Sequence, residues 1–284
     1  MAYPRFSISE STTNPATFEA DLAAYKKAGA DGIGIWEFKL PKGQDSRLRD
    51  ELQKSGLQAT VCVPQVPCIV PDAYFAEPQD PALRLKELCA AIRRFAAYKP
   101  LAVMIVPGAP GDDPAKSRRT VIEGLKVAAD TAAEVGVTIG LEGIRKDAGS
   151  LFNTLPELVE VIEEVGANNI RIIFDTWHFW DTPGVYDDIR KHAKRIIGLQ
   201  VNDRRAKPRS WADRVLPGDG VMDLATIFGT LEAAGYTGWY DMEIFSDRSY
   251  PDSLWNLPVD ELARRCVTSF RTVWDKRKTL TSRK

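Results

Sequence analysis

The feature that most constrains the fold is a repeat in which short apolar runs alternate with segments of helical periodicity. Eight such units, of about 35 residues each, follow one another along the 284 residues of the chain. Among the predicted strands, Gln58–Val63, Leu101–Val106 and Ile170–Asp175 are largely apolar and lack the polar alternation of a sheet with one wet face. The repeat therefore predicts a parallel sheet with helical crossovers.

The number of units decides between two architectures of the α/β class. A doubly wound sheet needs five or six strands, whereas eight strand–helix units in about 250 residues are typical of a (β/α)8 TIM barrel. The chain also lacks a low-complexity segment or linker. We therefore expect residues 1–284 to form a single TIM barrel domain.

The limits of the other predicted elements follow from apolar runs, turn residues and caps. The remaining strands are predicted at Arg5–Ser9, Asp31–Ile35, Val137–Glu142, Ile196–Asn202 and Trp239–Glu243. The helices are predicted at Ala16–Ala28, Leu48–Ser55, Pro81–Tyr98, Pro114–Val135, Leu155–Val165, Val185–Lys194, Leu224–Ala234 and Val259–Trp274.

Charge and cysteine usage narrow the function classes. The formal net charge is −1, which argues against a nucleic-acid-binding protein because such domains carry a basic excess. No run reaches the ~18 apolar residues of a membrane span, and we expect no signal peptide because no apolar h-region follows Met1. The four cysteines lack the spacing of a zinc or redox motif. We read them as reduced thiols and expect a cytoplasmic protein with no membrane partner.

Four successive strands carry a side-chain oxygen at or near their carboxyl ends, where the active sites of TIM barrels lie. These residues are Glu142, Asp175, Gln200 and Glu243. Three converging carboxylates need a counter-charge, and oxygen donors suit hard cations better than thiolate-preferring Zn²⁺. We therefore expect these four residues to bind one divalent metal ion, Mn²⁺ in the first place, with Mg²⁺ or Co²⁺ as alternatives.

A histidine and several aromatic residues accompany the predicted metal site. His178 follows Asp175 by three residues, and we expect it to bind substrate or move a proton rather than to be structural. Four aromatic residues in the predicted loops suit the apolar face of a sugar ring, although packing explains each of them as well. They are Trp36, Trp177, Phe179 and Trp211. The LPGDG segment at 216–220 lacks a P-loop pattern, and we interpret it as a structural turn.

At these residues the chain resembles the sugar phosphate isomerase/epimerase superfamily, the xylose isomerase-like TIM barrels. The resemblance runs from DGIGIWE at 31–37 to the final helix and is most specific in LEGIR, FDTWH, LQVNDR, RVLPGDGVMDL and DMEIF. It implies a metal bound by Glu142, Asp175, Gln200 and Glu243. Ketose epimerases usually have histidine where this chain has Gln200, whereas hydroxypyruvate isomerases resemble the chain in having glutamine.

The resemblance also implies roles for individual residues. Glu142 and Glu243 would face each other across the substrate, either of them as the base, with His178 as a further catalytic residue. We expect substrate binding by Arg214, Trp36, Trp177 and Arg145. A glutamate that follows the first metal ligand in ketohexose epimerases has no match near Ala148, which departs from the epimerase pattern.

The implied chemistry begins with removal of the proton next to the carbonyl of a keto-sugar, and its outcome stays open. The segment 201–220 resembles a subgroup acting on 3-oxo-glycosides, the C-glycoside deglycosidase catalytic subunits and eliminases, and favours β-elimination. Ketose 3-epimerisation and aldose–ketose isomerisation are the alternatives, and a non-catalytic barrel subunit is a remote one. A repair nuclease like endonuclease IV needs a histidine cluster, and the chain has two histidines. As partners we expect a small sugar substrate and either a second copy of the chain or a small accessory subunit.

Overall fold

The computed structural model describes residues 3–277, whose main sheet is a closed barrel of eight parallel strands. The barrel strands are β1 (Phe6–Ser9), β2 (Gly32–Trp36), β3 (Gln58–Val63), β4 (Ala102–Ile105), β5 (Ile139–Glu142), β6 (Ile170–Asp175), β7 (Ile196–Val201) and β10 (Trp239–Met242). Neighbours in the barrel are neighbours in sequence, and β10 closes it against β1. The predicted TIM barrel is confirmed.

Helices follow the strands, and all but one short helix, which lies at the carboxyl end of β6, cover the outside of the barrel. They are α1 (Phe18–Ala28), α2 (Asp45–Ser55), α3 (Pro81–Ala96), α4 (Pro114–Glu134), α5 (Leu155–Val165), α6 (Thr176–Phe179), α7 (Val185–His192), α8 (Leu224–Ala233) and α9 (Val259–Asp275). Local signals set their ends: Thr154 and Glu157 form a capping box at the start of α5, and Gly166 ends that helix in the left-handed region. Three elements, β3, β6 and α5, have the predicted limits, and most others differ by one to three residues.

Apolar side chains fill both faces of the sheet. Outside the barrel, the ring of Phe6 on β1 stacks on that of Phe270 on α9, with 4.6 Å between the centroids. Inside it, Val61, Met104 and Ile173 belong to a second buried cluster. Burial on both faces explains why the strands read as apolar runs. No helix among residues 3–277 has the length and apolar character needed to cross a membrane.

A two-stranded antiparallel ribbon, not predicted from the sequence, lies between β7 and α8. Its strands are β8 (Asp203–Arg204) and β9 (Arg214–Val215). The carboxylate of Asp203 accepts hydrogen bonds from the backbone N–H groups of Gly218, Gly220 and Met222. A Cβ at Gly220 would lie 2.3 Å from Asp203 Oδ1, so only glycine fits there. The LPGDG segment is thus closed on an internal carboxylate, as expected for a structural turn.

Candidate active site

The four predicted metal ligands come together at the carboxyl end of the barrel. Gln200 lies beside Asp175 in the pairing of β6 with β7, and its Nε2 donates a 2.7 Å hydrogen bond to Glu243 Oε1. Glu142 ends the neighbouring strand β5, and all four side chains are buried. Their convergence follows from barrel geometry, since parallel strands deliver their last side chains to one mouth.

Arg214 is the cation that faces these carboxylates. Its Nη1 lies 3.1 Å from Asp175 Oδ2 and 3.1 Å from Glu243 Oε2. The guanidinium also stacks near the rings of Trp177 and Phe245, at 5.1 and 4.7 Å from their centroids. Arg214 is the first residue of β9, so the ribbon places its side chain at the site. Arg214 thus reaches two of the predicted metal ligands, a contact that sequence reasoning did not foresee.

The electrostatics of this cluster favour a bound cation. Burial, and after it the charge of Asp175, raises the pKa of Glu142 well above its ordinary value. Burial also raises the pKa of Glu243 to about 8, although Arg214 acts in the opposite direction. Gln200 Oε1 is buried and has no hydrogen-bond partner among the described residues. Three carboxylates facing one guanidinium, with a free amide oxygen beside them, form a donor set that fits a divalent metal ion.

His178 lies on the short helix α6. Asp175 caps the start of this helix, since its Oδ1 accepts a 2.8 Å hydrogen bond from the Trp177 N–H. Its Nε2 lies 3.8 Å from Glu142 Oε1 and 3.7 Å from Asp175 Oδ2. Ligand atoms of these three residues lie within 4.8 Å of one another, so the histidine is a geometrical candidate for a metal ligand as well.

The other nitrogen of this imidazole argues for a different role. His178 Nδ1 accepts a 3.3 Å hydrogen bond from the backbone N–H of Arg145. Burial lowers the pKa of His178 to about 4, so the ring is neutral near pH 7. A neutral imidazole that accepts at Nδ1 carries its proton on Nε2. The nitrogen facing Glu142 and Asp175 is then a donor, which suits a hydrogen bond to substrate better than a metal bond.

A cavity of about 330 Å³ opens directly above the acidic cluster. Its floor includes Glu142, His178, Arg214 and Glu243, and its wall is largely aromatic. The aromatic residues are Trp36, Tyr74, Phe75, Trp177, Trp211 and Phe245. At the mouth, the rings of Tyr74 and Trp211 meet edge to face with 5.1 Å between centroids. The cavity therefore combines a charged floor with a flat apolar wall, a pairing that suits a sugar-like ligand.

The structure separates two predicted residues from this cavity. The Arg145 guanidinium turns to Asp147, Asp181 and the Trp177 carbonyl and lines a neighbouring cleft. Its contribution at the site is the backbone N–H that orients His178. Phe179 is fully buried and packs against Phe174, with 5.1 Å between centroids. One turn of α6 thus points Trp177 toward the cavity and Phe179 into the core.

Sequence reasoning missed several residues of the site. Asn202 Nδ2 donates a 2.8 Å hydrogen bond to Asp175 Oδ1 and fixes that carboxylate. Its place directly after β7, near Gln200, was an available signal. Asp72, Tyr74 and Phe75 line the cavity from the loop between β3 and α3. That loop has no periodicity, so its sequence gave no signal for them.

Comparison with known proteins places the chain in a family. Residues 22–266 match the xylose isomerase-like TIM barrel family, so the chain belongs to it. A D-psicose 3-epimerase of Enterocloster bolteae is 27% identical over 135 residues, which cover 47% of this chain and 42% of that protein. A 2-oxo-tetronate isomerase of Cupriavidus necator is 28% identical over 244 residues, covering 79% of this chain and 86% of that protein.

A solved structure agrees on the fold. The crystal structure of an IolI protein with bound zinc superposes with a TM-score of 0.80 at 20% identity, covering 97% of this chain and 100% of that one. Seven curated relatives, the D-psicose 3-epimerase among them, are matched over less than half of their own length. The names of the relatives are those of sugar and inosose isomerases, epimerases and dehydratases.

Proposed function

We propose that this protein is a divalent-metal-dependent enzyme that removes the proton next to the carbonyl of a keto-sugar. The observation that carries the proposal is the buried set of Glu142, Asp175, Gln200 and Glu243 beneath an aromatic-walled cavity. When bound there, a divalent ion of the Mn²⁺, Mg²⁺ or Co²⁺ type would polarise the substrate carbonyl as a Lewis acid. Mn²⁺ remains our first choice because the four donors are oxygens.

The chain's own residues supply the rest of the chemistry. Glu142 or Glu243 accepts the proton, since both carboxyl groups lie at the cavity floor where the substrate would bind. His178 donates from Nε2 to a substrate oxygen. Arg214 holds Asp175 and Glu243 in place and presents fixed positive charge at the cavity floor.

Among the outcomes of this first step we favour β-elimination that cleaves a 3-oxo-glycoside. The aromatic wall continues outward from the charged floor to Tyr74 and Trp211, where the Trp211 side chain is 48% exposed. A glycoside has a second group beyond the sugar, and this outer wall gives that group a surface to contact. Arg214 is the one lysine or arginine that lines the cavity in the part of the chain that the structure describes, and it is already paired with Asp175 and Glu243, which disfavours a phosphorylated substrate.

Epimerisation or isomerisation of a ketose is the second candidate. The observation in its favour is that two buried glutamates, Glu142 and Glu243, lie at the cavity floor. Epimerisation needs such a pair, because one residue removes the proton and a second acid returns it to the opposite face of the substrate. The names of the D-psicose 3-epimerase and 2-oxo-tetronate isomerase relatives point the same way.

One experiment tests the shared step and separates its outcomes. The protein with Mn²⁺ is incubated in D₂O with unmodified ketoses and with 3-oxo-glucosides that carry a nitrophenyl leaving group. Solvent deuterium at the carbon next to the carbonyl reports proton removal, and nitrophenol absorbance reports elimination. We expect nitrophenol release from the 3-oxo-glucosides and neither signal with Glu142→Gln. Because elimination makes the carbon next to the carbonyl part of a double bond, release by itself also reports proton removal. Exchange without release would select the second candidate, and neither exchange nor release with any substrate would refute the proposed function.

A further inference from the structure

Arg84 is the largest fully buried side chain of the described protein and lies in the first turn of α3. Its Nε donates to the Cys68 carbonyl at 2.9 Å, its Nη1 to the Pro78 carbonyl at 2.7 Å and its Nη2 to the Phe75 carbonyl at 2.8 Å. A fourth contact joins Nη2 to Cys68 Sγ at 2.7 Å. All three guanidinium nitrogens therefore bind one loop.

This buried cation has no carboxylate partner. No Asp or Glu of residues 3–277 lies within ion-pair distance of Arg84, and burying a guanidinium without such a partner is costly unless its donors are satisfied. Backbone carbonyls satisfy them here. The side chain therefore fixes backbone geometry rather than neutralising an acid.

The loop it binds forms one wall of the cavity. The first half of this loop is tied to the chain after β4 through hydrogen bonds from Val106 N to the Pro67 carbonyl and from Ala109 N to the Pro71 carbonyl. The second half, residues 72–80, carries the wall residues Tyr74 and Phe75. Within the described chain, its hydrogen bonds stay inside the loop and the first turn of α3, and Arg84 is the only side chain of that turn that donates to it.

We infer that Arg84 is a positioning residue that sets the substrate-binding wall formed by Tyr74 and Phe75. The inference rests on the proposed function for the identity of the ligand. Arg84 touches no residue of the charged floor, so its loss changes how tightly substrate is held and leaves the proton transfer largely intact. A variant of this kind raises KM more than it lowers kcat.

The test compares Arg84→Lys with Leu88→Ala, a buried core position one turn further along the same helix whose side chain has no hydrogen-bond donor for the loop carbonyls. Lysine keeps the charge but cannot reach three carbonyls at once. We expect Arg84→Lys to raise KM by ~10-fold or more with kcat within about 3-fold of wild type. Leu88→Ala loses stability through a cavity and should leave KM unchanged. Arg84→Met serves as a stronger variant if it folds.

Hydrogen exchange gives a readout that needs no substrate. The N–H groups of Tyr74 and Phe75 are bonded to Asp72 Oδ1 in the loop, and they should exchange faster in Arg84→Lys than in wild type or Leu88→Ala. Unchanged KM and exchange in Arg84→Lys would overturn the inference, as would an equal rise of KM in Leu88→Ala. If wild type turns over no substrate, the proposed function has failed, and the exchange result alone then decides whether Arg84 holds the wall.

Discussion

The barrel contains two buried groups of carboxylates that look alike by charge but differ in access. The strand-end cluster is Glu142, Asp175 and Glu243 with Gln200 and Arg214, and three of its members, Glu142, Glu243 and Arg214, line the floor of the cavity. The α1 cluster is Glu10, Asp21 and Lys39, enclosed between the strand ends of β1 and β2 and helix α1. Each cluster has more carboxylates than cations, and burial raises a carboxyl pKa in both.

Access to the cavity, rather than hydrogen bonding, separates the two clusters. In the α1 cluster, Asp21 accepts from Lys39 Nζ and from Thr13 Oγ1 at 2.6 Å each, and Glu10 Oε2 accepts from the Trp36 N–H at 2.8 Å. These bonds tie neighbouring elements together, and the cluster does not reach the cavity. Each cluster keeps one buried oxygen without a hydrogen-bond partner among the described residues, Gln200 Oε1 in the strand-end cluster and Glu10 Oε1 in the α1 cluster. Only the strand-end cluster opens on the cavity. Burial, a raised pKa and a spare oxygen therefore do not identify a functional site without access.

The largest expected effect comes from removing a carboxylate of the strand-end cluster. Glu142→Gln and Asp175→Asn should lower kcat/KM by about 10³-fold or more, because each loses a charged metal ligand and the first also loses a candidate base. Metal analysis of the purified proteins should show that the bound ion is lost as well. Unchanged metal content in both variants would place the metal elsewhere and remove the difference between the two clusters.

A smaller loss is expected from the two groups that we assign to substrate and orientation. His178→Ala and Arg214→Ala should retain the metal and lose roughly 10²-fold in kcat/KM, the usual size for a lost acid–base or positioning group. Arg214→Ala also leaves Asp175 and Glu243 without their cation. Added Mn²⁺ should therefore raise its melting temperature more than that of wild type, which differential scanning fluorimetry can measure. Normal turnover in both variants would show that other loops hold the substrate.

The contrast between the clusters also marks what sequence could predict. The strand-end residues were predictable because an apolar run that ends in Glu142 or Asp175 fixes both the strand and the place of its last side chain. Barrel geometry then brings those ends together without further information. The fold and the convergence of the strand-end carboxylates therefore follow from local pattern and barrel geometry.

Contacts between distant segments were not predictable. The pairing of Lys39 with Asp21 and the reach of Arg214 to Asp175 depend on how loops and helices meet in three dimensions. The direction of a single side chain is equally non-local: Arg145 offers its backbone to His178 while its guanidinium turns away. Tyr74 lies in an irregular loop, where no period indicates which residue faces the cavity.

Lys39 gives a test of the α1 cluster as a structural element. Lys39→Met leaves the fully buried Asp21 without its cation, and breaking a buried pair typically costs roughly 3–5 kcal/mol. We expect chemical denaturation to show a loss of that size. Metal content and kcat/KM, measured well below the melting temperature, should match wild type, since Lys39 does not reach the cavity floor. A variant that lost metal would instead link the two clusters.

The smallest effect concerns Glu10 and depends on pH. Burial raises the pKa of its carboxyl well above the ordinary value, and Asp21 adds to this while Lys39 and the Trp36 N–H oppose it. The folded state then holds this proton more tightly than the unfolded state, whose glutamate titrates near pH 4.3. Stability from this group is thus greatest below that pH and falls as the pH rises. Glu10→Gln keeps an acceptor for Trp36 but cannot ionise.

The melting temperature of Glu10→Gln should therefore be close to that of wild type at pH 4 and exceed it by a few degrees at pH 8, as about 1 kcal/mol corresponds to 2–4 °C in a chain of this size. Glu19→Gln is the matched control with the opposite sign. Hydrogen bonds from its own backbone N–H and from Arg47 lower the pKa of Glu19. Glu19→Gln should therefore lose a little stability relative to wild type as the pH rises above the ordinary pKa of glutamate. Melting curves of the metal-free proteins, recorded between pH 4 and pH 8, measure both slopes.

A Glu10→Gln curve that ran parallel to wild type would mean that Glu10 is ionised beside Lys39 in the folded protein. The α1 cluster would then, like the strand-end cluster, hold more ionised carboxylates than cations, and access to the cavity would distinguish the two.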